Sequence, residues 1–244
     1  MTETAVYLQP AFILQQQKYR ETSLIIDVLT RDFGRISLLA KGVRKSKSKT
    51  AGLLQPFVPL CISFFGKAEL KILTAVEIIP PLFELTGLAL YCGFYINELT
   101  GFFLHKHDPH PEVFADYRKC LYGLSAHCYA APGVASPRIE AALRIFECEL
   151  MEHIGYGLQL EYAACNEKPI DSAKKYLFNK DEGLVEAGHG LFSGATLQAI
   201  KRKEFTDPKV LNEAKRLMRT VIDSQLQGRP LKSRSVINQI IKKL

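Results

Sequence analysis

Alternating apolar and polar positions dominate the first eighty residues. Five runs, Phe12 to Gln16, Ser23 to Thr30, Arg35 to Ala40, Val58 to Phe65 and Lys71 to Ile78, are rich in β-branched and aromatic residues and read as strands. Between them lie turn-forming segments: Arg31-Asp32-Phe33-Gly34, a basic tract, Leu54-Gln55-Pro56 and Phe65-Gly66-Lys67. Five short strands suit a small barrel. The OB-fold is the barrel whose open face and loops carry oligonucleotides, and an SH3-like barrel fits the same pattern.

After Pro80-Pro81 the period changes from two to that of a helix, at a point where neither a sheet ladder nor a helix continues easily. Leu88 to Leu104 is apolar enough to be buried on most sides. Ser136-Pro137 reads as a cap and first helical residue, followed by the stripe Ile139, Leu143, Phe146, Leu150, Ile154 and a stop at Gly155 and Gly157. Short extended pieces such as Tyr176-Leu177-Phe178 follow, and helices resume over 196–202, 210–226 and 235–243. The fold class is therefore α+β. A five-stranded OB-fold barrel over residues 1–80 precedes a mainly α-helical domain over 81–244, which contains a short irregular insert at about 158–195.

Charge divides the chain into three. Residues 1–80 hold 11 Lys and Arg against 6 Asp and Glu, residues 81–200 hold 9 against 15, and residues 201–244 hold 12 against 4. Two basic ends flank an acidic middle, an arrangement suited to an anionic polymer at the ends and protein contacts between them. The N-terminal excess concentrates in Lys41, Arg44, Lys45, Lys47 and Lys49, five cations in nine residues with no acid among them. Such a loop on a rigid barrel reads as a phosphate-binding surface or as a solvated, Ser-rich loop. At the other end, Gly228-Arg229-Pro230-Leu231-Lys232-Ser233-Arg234-Ser235 precedes the last helix, with Ser233 or Ser235 as its cap. It is a second phosphate site or a helix-stopping loop. Arg216 and Arg219, one helical turn apart, adjoin it.

Catalytic signatures are missing. There is no phosphate-binding G-x-x-x-x-G-K-[ST], no G-x-G-x-x-G and no G-x-S-x-G. His105, His107, Asp108 and His110 crowd one helix end around a proline, where a fixed metal geometry is not expected. Glu147, Glu149, Glu152 and His153 read as a solvated acidic face. The six cysteines form no C-x-x-C pair, and no apolar run reaches membrane-spanning length, so a cytoplasmic protein without membrane contact is expected.

Several segments, in order from about residue 11 to 240, together resemble the bacterial recombination mediators of the RecO family: Arg20-Glu21-Thr22-Ser23, Phe33-Gly34-Arg35, Ala40-Lys41-Gly42-Val43-Arg44, Leu54-Gln55-Pro56-Phe57, Tyr95-Ile96-Asn97-Glu98-Leu99, Leu143-Arg144, Gly155-Tyr156-Gly157 and Pro230-Leu231-Lys232-Ser233-Arg234. The resemblance implies an OB-fold, no catalytic activity, and binding of single- and double-stranded DNA in the nucleoid. It also implies annealing of complementary strands, contact with RecR, recognition of the acidic C-terminal tail of single-stranded-DNA-binding protein, and a functional link to RecA and RecF. It adds Arg20 and Arg35 to the DNA-binding set of Lys41, Arg44, Lys45, Lys47, Lys49, Arg216, Arg219, Lys232 and Arg234. For the tail it points to Arg144, flanked by Leu143 and Phe146, as a cation beside an apolar groove; a surface arginine paired to Glu140 or Glu147 is the other reading. Many such proteins carry a four-cysteine zinc module after the Gly-Tyr-Gly turn. Here that segment keeps Cys165 alone, so this chain resembles the zinc-free type and neither metal nor cofactor is expected. Away from the resemblance, the residues alone also fit an RNA-binding OB-fold protein or an adaptor that never touches DNA.

Overall fold

The computed structural model describes residues 5–45, 48, 50–126, 137–164 and 168–241. The chain divides into two compact units, Met1–Cys128 and Tyr129–Leu244. In the first, β1 (Ala5–Tyr19), β2 (Ser23–Thr30), β3 (Gly34–Ala40), β4 (Leu60–Phe65) and β5 (Leu70–Ile78) close into a barrel of order β1-β2-β3-β5-β4. One parallel pair, β3 with β5, and closure of β4 onto β1 give the OB-fold order and set the SH3-like alternative aside. Strand β1 is longer than its apolar run because it serves two partners. Its first half pairs with β4 and its second with β2, with register shifts between Val6 and Gln9 and between Ile13 and Gln15.

Period-two alternation decides what the barrel encloses. Ile26 and Val28 of β2, Ile36, Leu38 and Ala40 of β3, and Leu60, Ile62 and Phe64 of β4 fill the interior with Ala11, Ile13, Val43 and Leu54. The intervening residues of β2 and β3 face outward.

Two helices belong to the same unit, α1 (Gly87–Phe103) and α2 (Pro111–Ser125). The sequence reading anticipated α1 and not α2, although Val113, Phe114, Tyr117, Cys120, Leu121 and Leu124 form its buried stripe. Phe12 of β1 is fully buried against Phe114 and Tyr117 of α2, with ring centroids 5.4 and 5.1 Å away. Asn97 of α1 answers the β1 bulge. Its amide donates to the carbonyls of Ile13 at 3.3 Å and Leu14 at 2.9 Å, and its side-chain oxygen accepts from the Tyr117 hydroxyl. A register shift takes backbone groups out of the ladder, and buried ones need partners. Gly34 opens β3 with φ at +64°, and a Cβ there would meet the Asp108 carbonyl oxygen at 2.1 Å, so no other residue fits.

The second unit holds α3 (Pro137–His153), a small sheet of β6 (Lys175–Asn179), β7 (Gly183–Glu186) and β8 (Phe192–Ser193) in the order β7-β6-β8, then α4 (Gly194–Lys201), α5 (Pro208–Gln225) and α6 (Lys232–Ile241). Helix α3 ends as its glycines predict. Gly155 takes φ +82°, its N–H donates to Glu152 O at 3.1 Å, and Tyr156 N–H reaches Met151 O at 2.8 Å, which together make a Schellman stop. Ser193 caps α4 by accepting from Thr196 N–H, and the Glu213 carboxylate accepts from both the N–H and the hydroxyl of Ser193 at 2.8 and 2.9 Å. Asp207 and Pro208 start α5. Helix α6 begins at Lys232, so Ser233 and Ser235 lie inside it; the Ser235 hydroxyl donates to Lys232 O and caps nothing. The expected cap Ser136 and the cysteine Cys165 lie outside the described residues. Among the described residues no helix is long and apolar enough to cross a membrane.

Candidate nucleic-acid interface

Strand register lays the outward residues of the barrel in rows across the sheet. One row runs Gln17, Ile25, Leu39, Ile72; the next runs Gln15, Asp27, Ser37, Leu70. A third, Phe12, Leu29, Arg35, differs because Phe12 and Leu29 are fully buried. In the first row Ile25, Leu39 and Ile72 are half-buried and Gln17 is exposed. Tyr19 lies at the open end, opposite Ser23.

Two loops rim that end. Arg20 occupies the β1–β2 turn at φ +50°, with its guanidinium 5.3 Å from the Tyr19 ring centroid. Lys41, Arg44 and Lys45 follow β3. The loops are tied together: Arg44 N–H donates to Thr22 O at 2.8 Å and its guanidinium to Arg20 O at 3.3 Å, while Gly42 N–H reaches the Ser23 hydroxyl at 3.4 Å. Val43, buried in the core, anchors the segment. Hence Arg20, Lys41, Arg44 and Lys45 form one cluster, and all four are exposed. None of them makes an ion pair with another described residue. Lys47 and Lys49 lie outside the described residues.

Arg35 is engaged within the fold. Its guanidinium donates to the carbonyls of Gly101 and Leu104, the former very closely, at the C-terminal end of α1. The last carbonyls of a helix lack intrahelical donors and carry partial negative charge, so they hold an arginine that would otherwise face solvent. Lys106 pairs with Glu69 at 2.6 Å, and His107 N–H donates to Arg35 O at 2.9 Å, which fastens the same corner.

The C-terminal cations are less available. Arg219 sits 3.7 Å from Asp223, and Arg234 makes a close pair with the same carboxylate. Arg216 and Lys232 are exposed. The cationic run Lys201, Arg202, Lys203 is likewise engaged, with Glu161, Glu204 and Glu149 respectively.

The expected tail-binding position is arranged differently from a cation beside an open groove. Leu143, Arg144 and Phe146 of α3 are all buried, and the Arg144 guanidinium, 5% exposed, makes a close pair with Glu147, 1% exposed, one turn along. The pairing with Glu147 matches one reading of the sequence, but the pair is interior and not on the helix surface. Glu147 is thus part of the packed side of α3 and not of a solvated acidic face.

Sequence reasoning passed over Tyr19, Ile25, Leu39 and Asp27. The signal was present as alternation: odd-numbered positions of β2 and β3 face away from the barrel interior.

The barrel and its cationic rim define an OB-fold protein whose charged margin is formed by the β1–β2 turn and the segment that follows β3. The N-terminal model of recombination protein O matches residues 1–82 and the C-terminal model residues 84–235. The chain is 37% identical over 238 residues to the DNA repair protein RecO of Shigella boydii serotype 18, covering 96% of this chain and 95% of that one. It is 38% identical over 240 residues to the DNA repair protein RecO of Nitrosococcus oceani, covering 96% and 94%. This chain belongs to the RecO family of DNA repair proteins.

Proposed function

We propose that the protein binds single- and double-stranded DNA on the open face of its barrel, anneals complementary strands and, with RecR, helps load RecA onto DNA coated by single-stranded-DNA-binding protein. It does so without a catalytic step and in functional connection with RecF. In this reading residues 1–80 are the DNA-binding domain, and the helical residues after them present protein contacts.

One observation carries it: Arg20, Lys41, Arg44 and Lys45 are exposed, stand on two loops tied to each other, and have no ion-pair partners among the described residues. Cations left unpaired on a surface favour an anionic ligand, and phosphate contacts of this kind do not read sequence. Half-buried Ile25 and Leu39 and the ring of Tyr19 offer apolar surface to bases. Annealing brings two anionic strands together, and the cluster lowers that repulsion. Arg216, Arg219, Lys232 and Arg234 are a second cationic set, weakened by the claim of Asp223 on two of them. Recognition of an acidic protein tail at Arg144 would require the tail carboxylate to replace Glu147.

Exchange of Arg44 and Lys45 for Glu tests the reading. Single-strand affinity should fall, and the log–log salt slope should flatten by about 0.7 for each lost contact. An unchanged slope, or stronger retention of RNA than of DNA in competition, overturns it.

A further inference from the structure

Within the open face one residue has the wrong sign for a phosphate site. Asp27 lies in the second outward row, between Gln15 and Ser37. Its Oδ1 accepts from the Ser37 hydroxyl at 2.5 Å, and its other oxygen has no partner among the described residues. The side chain is half-buried, so its charge is only partly screened by water. Cations stand on either side of it. Arg20, Lys41, Arg44 and Lys45 rim the Tyr19 end, and Lys67 is exposed in the turn before β5, whose first residue, Leu70, is paired with Ser37.

A polynucleotide crossing this face meets attraction at the margins and repulsion in the middle. Its backbone is therefore held at the margins. Its bases turn to the sheet, where Ile25 and Leu39 accept their flat faces and the free carboxylate oxygen accepts a hydrogen bond. Each of the four bases carries at least one N–H on its Watson–Crick edge, so such an acceptor tolerates any sequence. In a duplex those N–H groups are already spent on the complementary strand.

We infer that Asp27 is the residue by which this face distinguishes an unpaired strand from a paired one. It accepts from the pairing edge of a single strand, repels a bare backbone, and loses its contact when the strand pairs. This rests on the DNA-binding reading of the face.

The test compares three ligands of equal length: a single-stranded oligonucleotide, an abasic oligonucleotide and a duplex. The native protein should prefer the first over the second, and equal affinity overturns the inference whatever the variants do. Asp27→Asn keeps an acceptor for Ser37 and removes the charge. It should bind the abasic strand and the duplex about threefold to tenfold more tightly while gaining little for the single strand, which narrows the preference. An unchanged preference in a folded Asp27→Asn protein overturns the role of Asp27 alone. If Arg44→Glu and Lys45→Glu leave all three affinities untouched, the face itself is misassigned and the inference falls with it.

Discussion

The Tyr117 hydroxyl donates to the Asn97 side-chain oxygen at 2.5 Å, and through Asn97 helix α2 is tied to the bulge of β1. Tyr117 is fully buried and Asn97 nearly so, and burial holds the Tyr117 hydroxyl well above its ordinary pKa, so it remains a donor. Replacing Asn97 by Ala removes its hydrogen bonds to two backbone carbonyls and to the Tyr117 hydroxyl. Each buried polar group left without a partner costs about 1–3 kcal/mol. Asn97→Ala should therefore lower stability more than Tyr117→Phe, as read from denaturant midpoints. Equal losses would show that the bulge does not depend on Asn97.

Arg35 and Lys45 separate structure from binding. Arg35→Ala removes charge-assisted hydrogen bonds at the end of α1 and should cost about 1.5–3 kcal/mol of stability. The salt slope of single-strand binding should remain as it was. Lys45→Glu should show the opposite pattern, which thermal unfolding and salt titrations on the same samples would read.

Opening the Arg144–Glu147 pair should be expensive. Arg144→Ala leaves the Glu147 carboxylate buried without that guanidinium, a change worth about 3–5 kcal/mol. If an acidic tail does bind at Arg144, Glu147→Gln removes the competing carboxylate charge and should strengthen binding of a tail peptide. A peptide indifferent to both substitutions docks elsewhere.

Glu213 gives the second unit an acid-sensitive point. Burial pushes its pKa up, but the hydrogen bonds from Ser193 and the side chain of Thr196, helped by Lys209, outweigh burial and hold the carboxyl below its ordinary value. With the folded pKa depressed, its contribution is complete above the unfolded value, about 4.3, and is lost as pH falls through the folded one. The stability gap between the native protein and Glu213→Gln should be widest near neutrality and close on acidification. A gap that is constant with pH would contradict this.

Much of this was legible in the chain. Period two gave β2 to the residue and the other four strands to within a few positions at most ends, and Gly155 stopped α3 as a glycine should. Helix α2 was missed although its stripe keeps helical spacing throughout, because Glu112, Asp116, Arg118 and Lys119 outside that stripe lower the apolar density of the segment. The cationic loop was read from composition, since a local run needs no tertiary information. The surroundings of Arg35 and Arg144 were not legible for the converse reason: one is held by the end of a helix sixty-six residues away in sequence, the other lies on the packed side of α3. A lone arginine does not announce which carbonyl or carboxylate it will meet.

Because Phe12 and Leu29 of the third row are sealed, the surface proposed for a strand narrows to the first two rows and the Tyr19 end. The footprint is correspondingly brief. On the proposed reading a brief footprint gives a bound strand few contacts to break before it leaves, so residence should be short and exchange fast. If the protein anneals strands as proposed, quick release would serve it as well as capture, and a short face favours release.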